Sequence, residues 1–514
     1  MPMDAHDIES MIKAAIPDAE VTIRDLAGDG DHYAATVISE SFRGNPGSSS
    51  TRSSTGRCRA RWAACCMPWR CRPGYLADPE FRRVSSVRRD RGRAMAGDNE
   101  RGALFRAIVP NQHSRVTYAE LFFDLVFVFA VTQVSHTLLG RFTPLGALQT
   151  TMLFLAVWWV WVYTSWITNW LDPETTPVRV LLFLLMLGGL VLSTSIPKAF
   201  ESRGLWFALA YAGMQVGKTV FLWASTSQSQ TLARMNAVRI TVWLSVSAVF
   251  WIAGGFAEGH SRLVFWAVAL TIEYISPAVR FWIPKYGASA VADWVVEGGH
   301  MAERCAGFII IALGESIVVT GATFADLTWT TETVGAFASA FIGAIAMWWI
   351  YFHRGAEAGS EQISRSSEPG RLARLAYTYL HMPIVAGIIL SAVADDLVLT
   401  HPAEHSDART VLSAVGGPLL FLVGTILFKH TFRGFLQLSH GAGIIALAIL
   451  AWFAGSLSPL MLSMLASAIM VVVAVWESVS LGSGATSGIS GIVSSSDVRR
   501  QDKIDENDPI ETST

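Results

Sequence analysis

One stretch limits what this chain can become: Tyr118 to Leu139, YAELFFDLVFVFAVTQVSHTLL. It is long and apolar enough to cross a bilayer, yet it carries Glu120, Asp124, Gln133 and His136. A carboxylate near the bilayer centre costs roughly 2.5–3.5 kcal/mol on insertion scales. These groups are therefore expected to face other helices, a water-filled cavity or the interface. On a helix, Glu120 and Asp124 are four apart and share one face.

The rest of the chain continues the theme. Of 514 residues, 52% are hydrophobic and only 16% charged, against about a quarter charged in a soluble protein. From about residue 117 the chain reads as about twelve apolar spans: 117–139, 145–170, 177–197, 204–224, 236–256, 262–283, 303–323, 333–353, 372–394, 411–429, 435–455 and 459–479. With the N-terminus cytoplasmic, inside connections hold about eighteen basic residues and outside ones about five, so both termini are expected in the cytoplasm of a bacterial inner-membrane protein. The 395–410 connection, with Asp395, Asp396, Glu404 and Asp407, then falls outside, and 354–374, with Arg354, Arg365, Arg371 and Arg374, inside. Tryptophans at Trp158, Trp159, Trp161, Trp166 and Trp170 read as an interfacial belt. A net charge of −2 gives no signal for nucleic acid, and the lipid bilayer is the evident partner. No signal peptide opens the chain, so the first span is expected to direct insertion. The Gly/Ser-rich segment 481–514 reads as a disordered cytoplasmic tail.

The first hundred residues differ. Asp7 to Ile16 has helical spacing, Glu20 to Asp25 and His32 to Ser39 alternate like strands, and Gly28-Asp29-Gly30 marks a turn. IESMIKAAIPDAEVTIRDLAGDGDHYAATVISESFRG resembles the first half of a BolA-like protein, over residues 4–44, within a small incomplete α/β unit at 1–44. That family has an αββααβ fold and partners monothiol glutaredoxins in iron–sulfur handling. After Gly44 the resemblance stops. Asn45 to Arg72 has no helical or strand period, and codons written for the BolA-like continuation KSRVQQH, shifted by one base, encode NPGSSST, which is Asn45 to Thr51. A one-base frameshift is the hypothesis for 45–94, with Met95 the start of a second protein spanning 95–480. An intact reading frame on resequencing, with peptides detected from Asn45 to Arg72, would exclude it. Cys58, Cys65, Cys66 and Cys71 match no standard zinc spacing, and a glutaredoxin partnership is not expected because half the BolA-like fold is missing.

The spans also hint at duplication. Glu120 aligns with Glu303, Trp158-Trp159 with Trp348-Trp349, Arg179 with Arg374, and Trp251-Ile-Ala-Gly-Gly with Trp452-Phe-Ala-Gly-Ser; the offsets grow from 183 to 201 residues. Six spans per half would give a 6+6 parallel repeat about an axis along the membrane normal. Chance matching of Trp-rich membrane sequence is the alternative.

TYAELFFDLVFVFAVTQVSH, the WWVWVYTSWITNWLD block and HMAERCAGFIIIALGESIVVTG together resemble the bacterial low-temperature-requirement protein A family, LtrA, over roughly residues 104–480. The resemblance implies an all-α polytopic integral membrane protein; the biochemical activity of that family is not settled. The residues leave several readings open. Glu120 and Asp124 read either as a proton or cation site or as helix-end charges paired with Arg115. Glu315 lies deeper, eleven residues after Arg304 and on nearly the same face, and reads as a coupling group. His300 and Glu303 are placed to pair the span-1 carboxylates. Glu273 with Arg280, across Pro277, reads as a second candidate or a structural pair; Lys218 and His381 are lone polar groups. No HExxH, Walker loop or GxSxG occurs, and Gly482-Ser-Gly484 follows no strand, so no metal, cofactor or enzyme motif is expected. The expected function is a secondary transporter or ion pathway for an unknown small solute or ion, coupled through Glu120, Asp124, Gln133, His136, Glu303, Arg304 and Glu315. The alternatives are a membrane-embedded enzyme, a non-transporting sensory or structural protein, and a BolA-type regulator on a membrane anchor.

Overall fold

The computed structural model describes Lys13 and residues 20–25, 32–39, 51–52, 58–65, 104–106, 115–227, 230–290, 296–353, 369–433 and 436–489. Two compact units divide the chain, 1–89 and 90–514. In the first, β1 (Glu20–Asp25) and β2 (His32–Ser39) pair antiparallel from Glu20↔Ile38 to Asp25↔Tyr33, as their alternation predicts. The helix expected over 7–16 lies outside the described residues except for Lys13. β3 (Thr51–Arg52) and β4 (Cys58–Cys65) complete a sheet of order β1-β2-β4-β3. β4 thus forms where the sequence shows no strand period. Ladder hydrogen bonds come from the backbone, so an edge can accept a strand without alternation. Cys58 and Cys65 sit at opposite ends of β4, about 23 Å apart at strand rise, too far to share one ion; Cys66 and Cys71 lie outside the described residues.

The second unit is helical. Among the described residues eleven helices have the length and composition of membrane spans: α1 (Tyr118–Gly140), α2 (Pro144–Trp170), α3 (Thr176–Lys198), α4 (Gly204–Ser225), α5 (Thr231–Phe256), α7 (Gly298–Asp326), α8 (Thr331–Phe352), α9 (Gly370–Thr400), α10 (Ala408–Phe432), α11 (Leu438–Ser456) and α12 (Pro459–Ser480). The sixth helix, α6 (Gly259–Ile275), has 17 residues. Pro277 ends it rather than kinking it, and the turn beyond puts Arg280 and Phe281 at positive φ. Other boundaries move: α5 begins at Thr231 rather than 236, and α7 at Gly298 rather than 303, which takes in His300 and Glu303. α9 runs to Thr400, not 394, so Asp395 and Asp396 are helical rather than in an outside connection. The last helix continues to Ile489, past the expected start of a disordered tail at 481; residues 490–514 lie outside the described residues.

Start signals are legible. Thr117 and Glu120 form a reciprocal capping box at α1, and Thr143 caps the Pro144 start of α2. Asp407 caps α10, accepting from the N–H and hydroxyl of Thr410, both at 2.8 Å. Partial burial pushes the Asp407 carboxyl up, but the Thr410 N–H and Arg409 outweigh it and hold it down at about 2. Its folded value lies below the ordinary one, so its stabilisation is present above about pH 4 and fades as pH falls toward 2. Asp407→Ala is expected to cost about 0.5–2 kcal/mol, read as a lowered unfolding midpoint at neutral pH and a smaller difference at acid pH.

The expected tryptophan belt is partly a core. Trp158, Trp159 and Trp161 are at most 1% exposed. Trp158 donates its indole N–H to the Thr378 carbonyl at 2.8 Å, and Trp166 donates to the Thr378 hydroxyl at 2.9 Å. The Thr378 stretch of α9 is a π-helical turn, Arg374–Leu380, which wraps this aromatic face. Helix α2 is accordingly an inner helix, packed on α1, α4, α6 and α7.

The neighbour order repeats between halves. α1 packs on α2 and α3, α3 on α4, α4 on α5, α5 on α6 and α2 on α6; likewise α7 packs on α8 and α9, α9 on α10, α10 on α11, α11 on α12 and α8 on α12. The halves meet where α1 packs on α7 and α9, and α2 on α7. Two helices at equivalent positions in contact are what a two-fold along the membrane normal places nearest its axis.

Candidate functional site

At the start of α1 and α7 the two halves exchange charge. Glu120 is fully buried. Its Oε2 accepts from the Thr117 N–H at 2.9 Å and hydroxyl at 3.0 Å, and Oε1 lies 2.8 Å from His300 Nε2. The tautomer of His300 follows from its other side. Asn169 Oδ1 accepts from the Glu297 N–H at 3.1 Å, so Asn169 Nδ2 is the donor facing His300 Nδ1 at 3.2 Å. His300 Nδ1 therefore accepts, and Nε2–H donates to Glu120. Arg106 adds a guanidinium 3.6 Å from Glu120 Oε2 and donates to the Thr168 carbonyl at 3.0 Å.

One turn along α1, Asp124 Oδ1 accepts from Arg304 Nη2 at 2.8 Å and from the Trp161 indole at 2.7 Å. Arg304 is itself fully buried, donates to the Ser165 hydroxyl at 3.2 Å, and has Nη1 4.0 Å from Glu120. Its guanidinium lies against the Phe123 and Trp161 rings, where a weakly hydrated planar cation fits better than an ammonium. Two carboxylates face two guanidiniums, so the cluster is balanced in charge. It is not balanced in hydrogen bonds: Asp124 Oδ2 and Arg304 Nε and Nη1 are buried without a partner among the described residues. Such a buried, partly satisfied network is costly unless its open positions are used.

Residues 115–475 match the family described as bacterial low temperature requirement A protein. The chain belongs to that family. It is also 41% identical over 369 residues to an uncharacterized protein of Rhizobium meliloti (strain 1021), an alignment covering 72% of this chain and 90% of that one. No solved structure matches. The family match falls within the helical unit, which therefore carries the LtrA identity.

The other residues singled out from the LtrA sequence are dispersed. Glu303 is exposed and accepts from the Val116 N–H at 3.0 Å, ahead of α1. Glu315 is half-buried and receives a hydrogen bond from the Thr132 hydroxyl of α1. α1 and α7 do pack together as expected, but eleven residues place Glu315 about 16 Å along α7 from Arg304; the three carboxylates do not share one cluster. Gln133 is half-buried, and His136 is exposed. Helix geometry explains this, because 133 and 136 lie off the 120–124 face.

Glu273 does not pair Arg280, which lies exposed beyond the helix end. It is caged instead by the Tyr211 hydroxyl, Gln215 Nε2 at 3.3 Å, the Ser247 hydroxyl at 2.5 Å and the Trp251 indole at 3.0 Å. His381 donates from Nδ1 to the Ala376 carbonyl at 2.8 Å, leaving Nε2 to accept from the Tyr351 hydroxyl at 2.7 Å. Both its nitrogens are thus satisfied. Lys218 donates to the Val160 carbonyl at 3.0 Å and the Thr164 hydroxyl at 3.1 Å.

Sequence reasoning missed Arg106, Trp161, Ser165 and Asn169. The signal was present: Trp161, Ser165 and Asn169 are each four apart, a polar-tipped stripe inside an aromatic block. It also missed the buried pair of Lys429 with Glu477, Nζ 2.8 Å from both carboxylate oxygens. Lys429 also donates to the Ile350 carbonyl at 2.7 Å. Val160 and Ile350, which accept from Lys218 and Lys429, occupy matching places after the aligned tryptophan pairs.

Proposed function

We propose that this LtrA protein is a secondary transporter or ion pathway whose charge-carrying groups are Asp124, with its partner Arg304, and Glu315. The observation that carries the reading is the buried Glu120–His300–Arg304–Asp124 network between the two halves, in which Asp124 Oδ2 and two guanidinium nitrogens have no hydrogen-bond partner among the described residues. In a bilayer such groups are expensive and face a pathway or each other; here they lie where one half would rock against the other. Protonation or ligand binding at Asp124 would loosen its hold on Arg304, which is the kind of local charge change that biases a two-state interface. A membrane-embedded enzyme is the competing reading, favoured by the exposed Glu303 beside the cluster.

The test is flux in proteoliposomes under an imposed pH gradient. Asp124→Asn and Glu315→Gln are each expected to keep insertion while lowering pH-dependent flux by about tenfold or more, a barrier change of about 1.4 kcal/mol. No flux from the wild type, or unchanged flux in both variants, would sink the transport reading. The inner membrane is the proposed location, with both termini cytoplasmic on the strength of the basic-residue asymmetry. Reporter fusions at each end check this, and a periplasmic signal from either end refutes it.

A further inference from the structure

Away from the charged cluster, a small cavity lies between α7, α8, α9, α10 and α12 in the second half. Because α9 runs to Thr400, it carries Asp395 into the cavity wall. Ser316, Ser391 and Ser467 line the same space, and the remaining lining is apolar side chains and glycine. The Ser316 hydroxyl donates to Asp395 Oδ2 at 3.3 Å. The Ser391 hydroxyl oxygen is buried without a hydrogen-bond partner among the described residues. The charged neighbours on the packed helices are acidic: Asp396, held by Thr323 at 2.9 Å, and Glu315, next to Ser316 on α7. Among the described residues no Lys, Arg or His lines the cavity.

Helix α10 adds backbone oxygen. Its regular ladder is disturbed at Val415, between Ala408–Ala414 and Gly416–Arg433, where the backbone still keeps right-handed helical angles. Pro418 has no N–H, so the Ala414 carbonyl loses its usual donor four residues on, and both residues line the cavity. A Cβ on Gly387 would lie 2.5 Å from the Phe421 nitrogen, and one on Gly417 2.4 Å from the Ser391 hydroxyl. α9 and α10 thus approach backbone to backbone, and no larger side chain can fill the gap.

A carboxylate ionised in such a place, with only acidic neighbours, is costly until a cation joins it. The available donors are a carboxylate, hydroxyls and a carbonyl, all hard oxygens, which excludes metals that prefer nitrogen or sulfur. One wall carboxylate balances one positive charge, whereas calcium takes 6–8 oxygens and commonly more than one carboxylate. Main-chain carbonyls at an irregularity in a membrane helix are a recurrent way of holding a monovalent cation. We propose that the Asp395 cavity binds one alkali cation of sodium's size. The inference concerns binding and stands whether or not this chain transports.

The experiment uses the full chain in detergent at alkaline pH, with radioactive sodium in equilibrium dialysis and choline as the ionic-strength control. Saturable binding of one sodium per chain is expected, together with a sodium-dependent rise in the unfolding midpoint that potassium reproduces only weakly. Asp395→Asn should abolish both effects, and Ser391→Ala should weaken sodium binding several-fold while leaving the midpoint in choline unchanged. The Ser391 variant keeps the test decisive if the Asp395 variant misfolds. Absence of saturable sodium binding, a midpoint that responds to pH but not to sodium, or full binding by Ser391→Ala overturns the proposal.

Discussion

Arg304→Met is expected to cost the folded protein about 3–5 kcal/mol, the range for removing one partner of a buried ion pair. The loss falls on Asp124. Glu120 would keep His300, Thr117 and Arg106, whereas among the described residues Asp124 would keep only the Trp161 indole. The measurement is the monodisperse fraction and unfolding midpoint in detergent, compared with Asp124→Leu and the double variant. The double variant should recover part of the loss, with a coupling of about 0.5–3 kcal/mol, because no uncompensated carboxylate remains. Additive losses would mean that the pair does not act as a unit.

Lys429→Met should be about as damaging, and Lys218→Met should not. Both lysines are buried and both donate to a carbonyl of a neighbouring helix. Only Lys429 has a carboxylate within 4.0 Å among the described residues, the 3%-exposed Glu477. Removing Lys429 strands that carboxylate, again at about 3–5 kcal/mol. Removing Lys218 leaves two neutral acceptors, one of them a helix carbonyl, and takes a costly ammonium out of the interior. Lys218→Met is therefore expected to be neutral or stabilising, within the about 1–4 kcal/mol seen when apolar groups replace buried charge. Equal losses in the two variants would show that Lys218 has a charge partner in the working protein.

These contrasts explain why the proposed pathway is placed at the junction of the halves. The Lys429–Glu477 pair and the Glu273 carboxylate have their hydrogen bonds met within one half. The Asp124–Arg304 pair crosses between halves and leaves donors and an acceptor open. A group whose partners are complete has little to gain from moving, whereas one with open positions can change partners at small cost.

Span length, hydropathy and caps are local properties, and they were legible. The α1 start at Tyr118 follows from Thr117 and Glu120, and the apolar runs locate eleven of the helices, most of their ends to within a few residues. The likeness between halves could be read from aligned tryptophans and is matched by the repeated neighbour order. Which polar groups meet was not legible, because a partner is chosen by packing across sequence separations that no periodicity records. Glu120 and Arg304 were visible as residues, but their connection through Trp161, Ser165 and Asn169 required α2 to be an inner helix. Asp395 shows the same limit from the other side. An acidic dipeptide after an apolar run reads as the end of a span, since exposed charge is cheap and buried charge is dear. Only the packed structure reveals that α9 continues past it, into a cavity bounded by the irregularity in α10 and the close approach of Gly387 and Gly417. Sequence alone determined that this chain crosses a membrane many times; tertiary packing decided which of its charges are neutralised and which are left open.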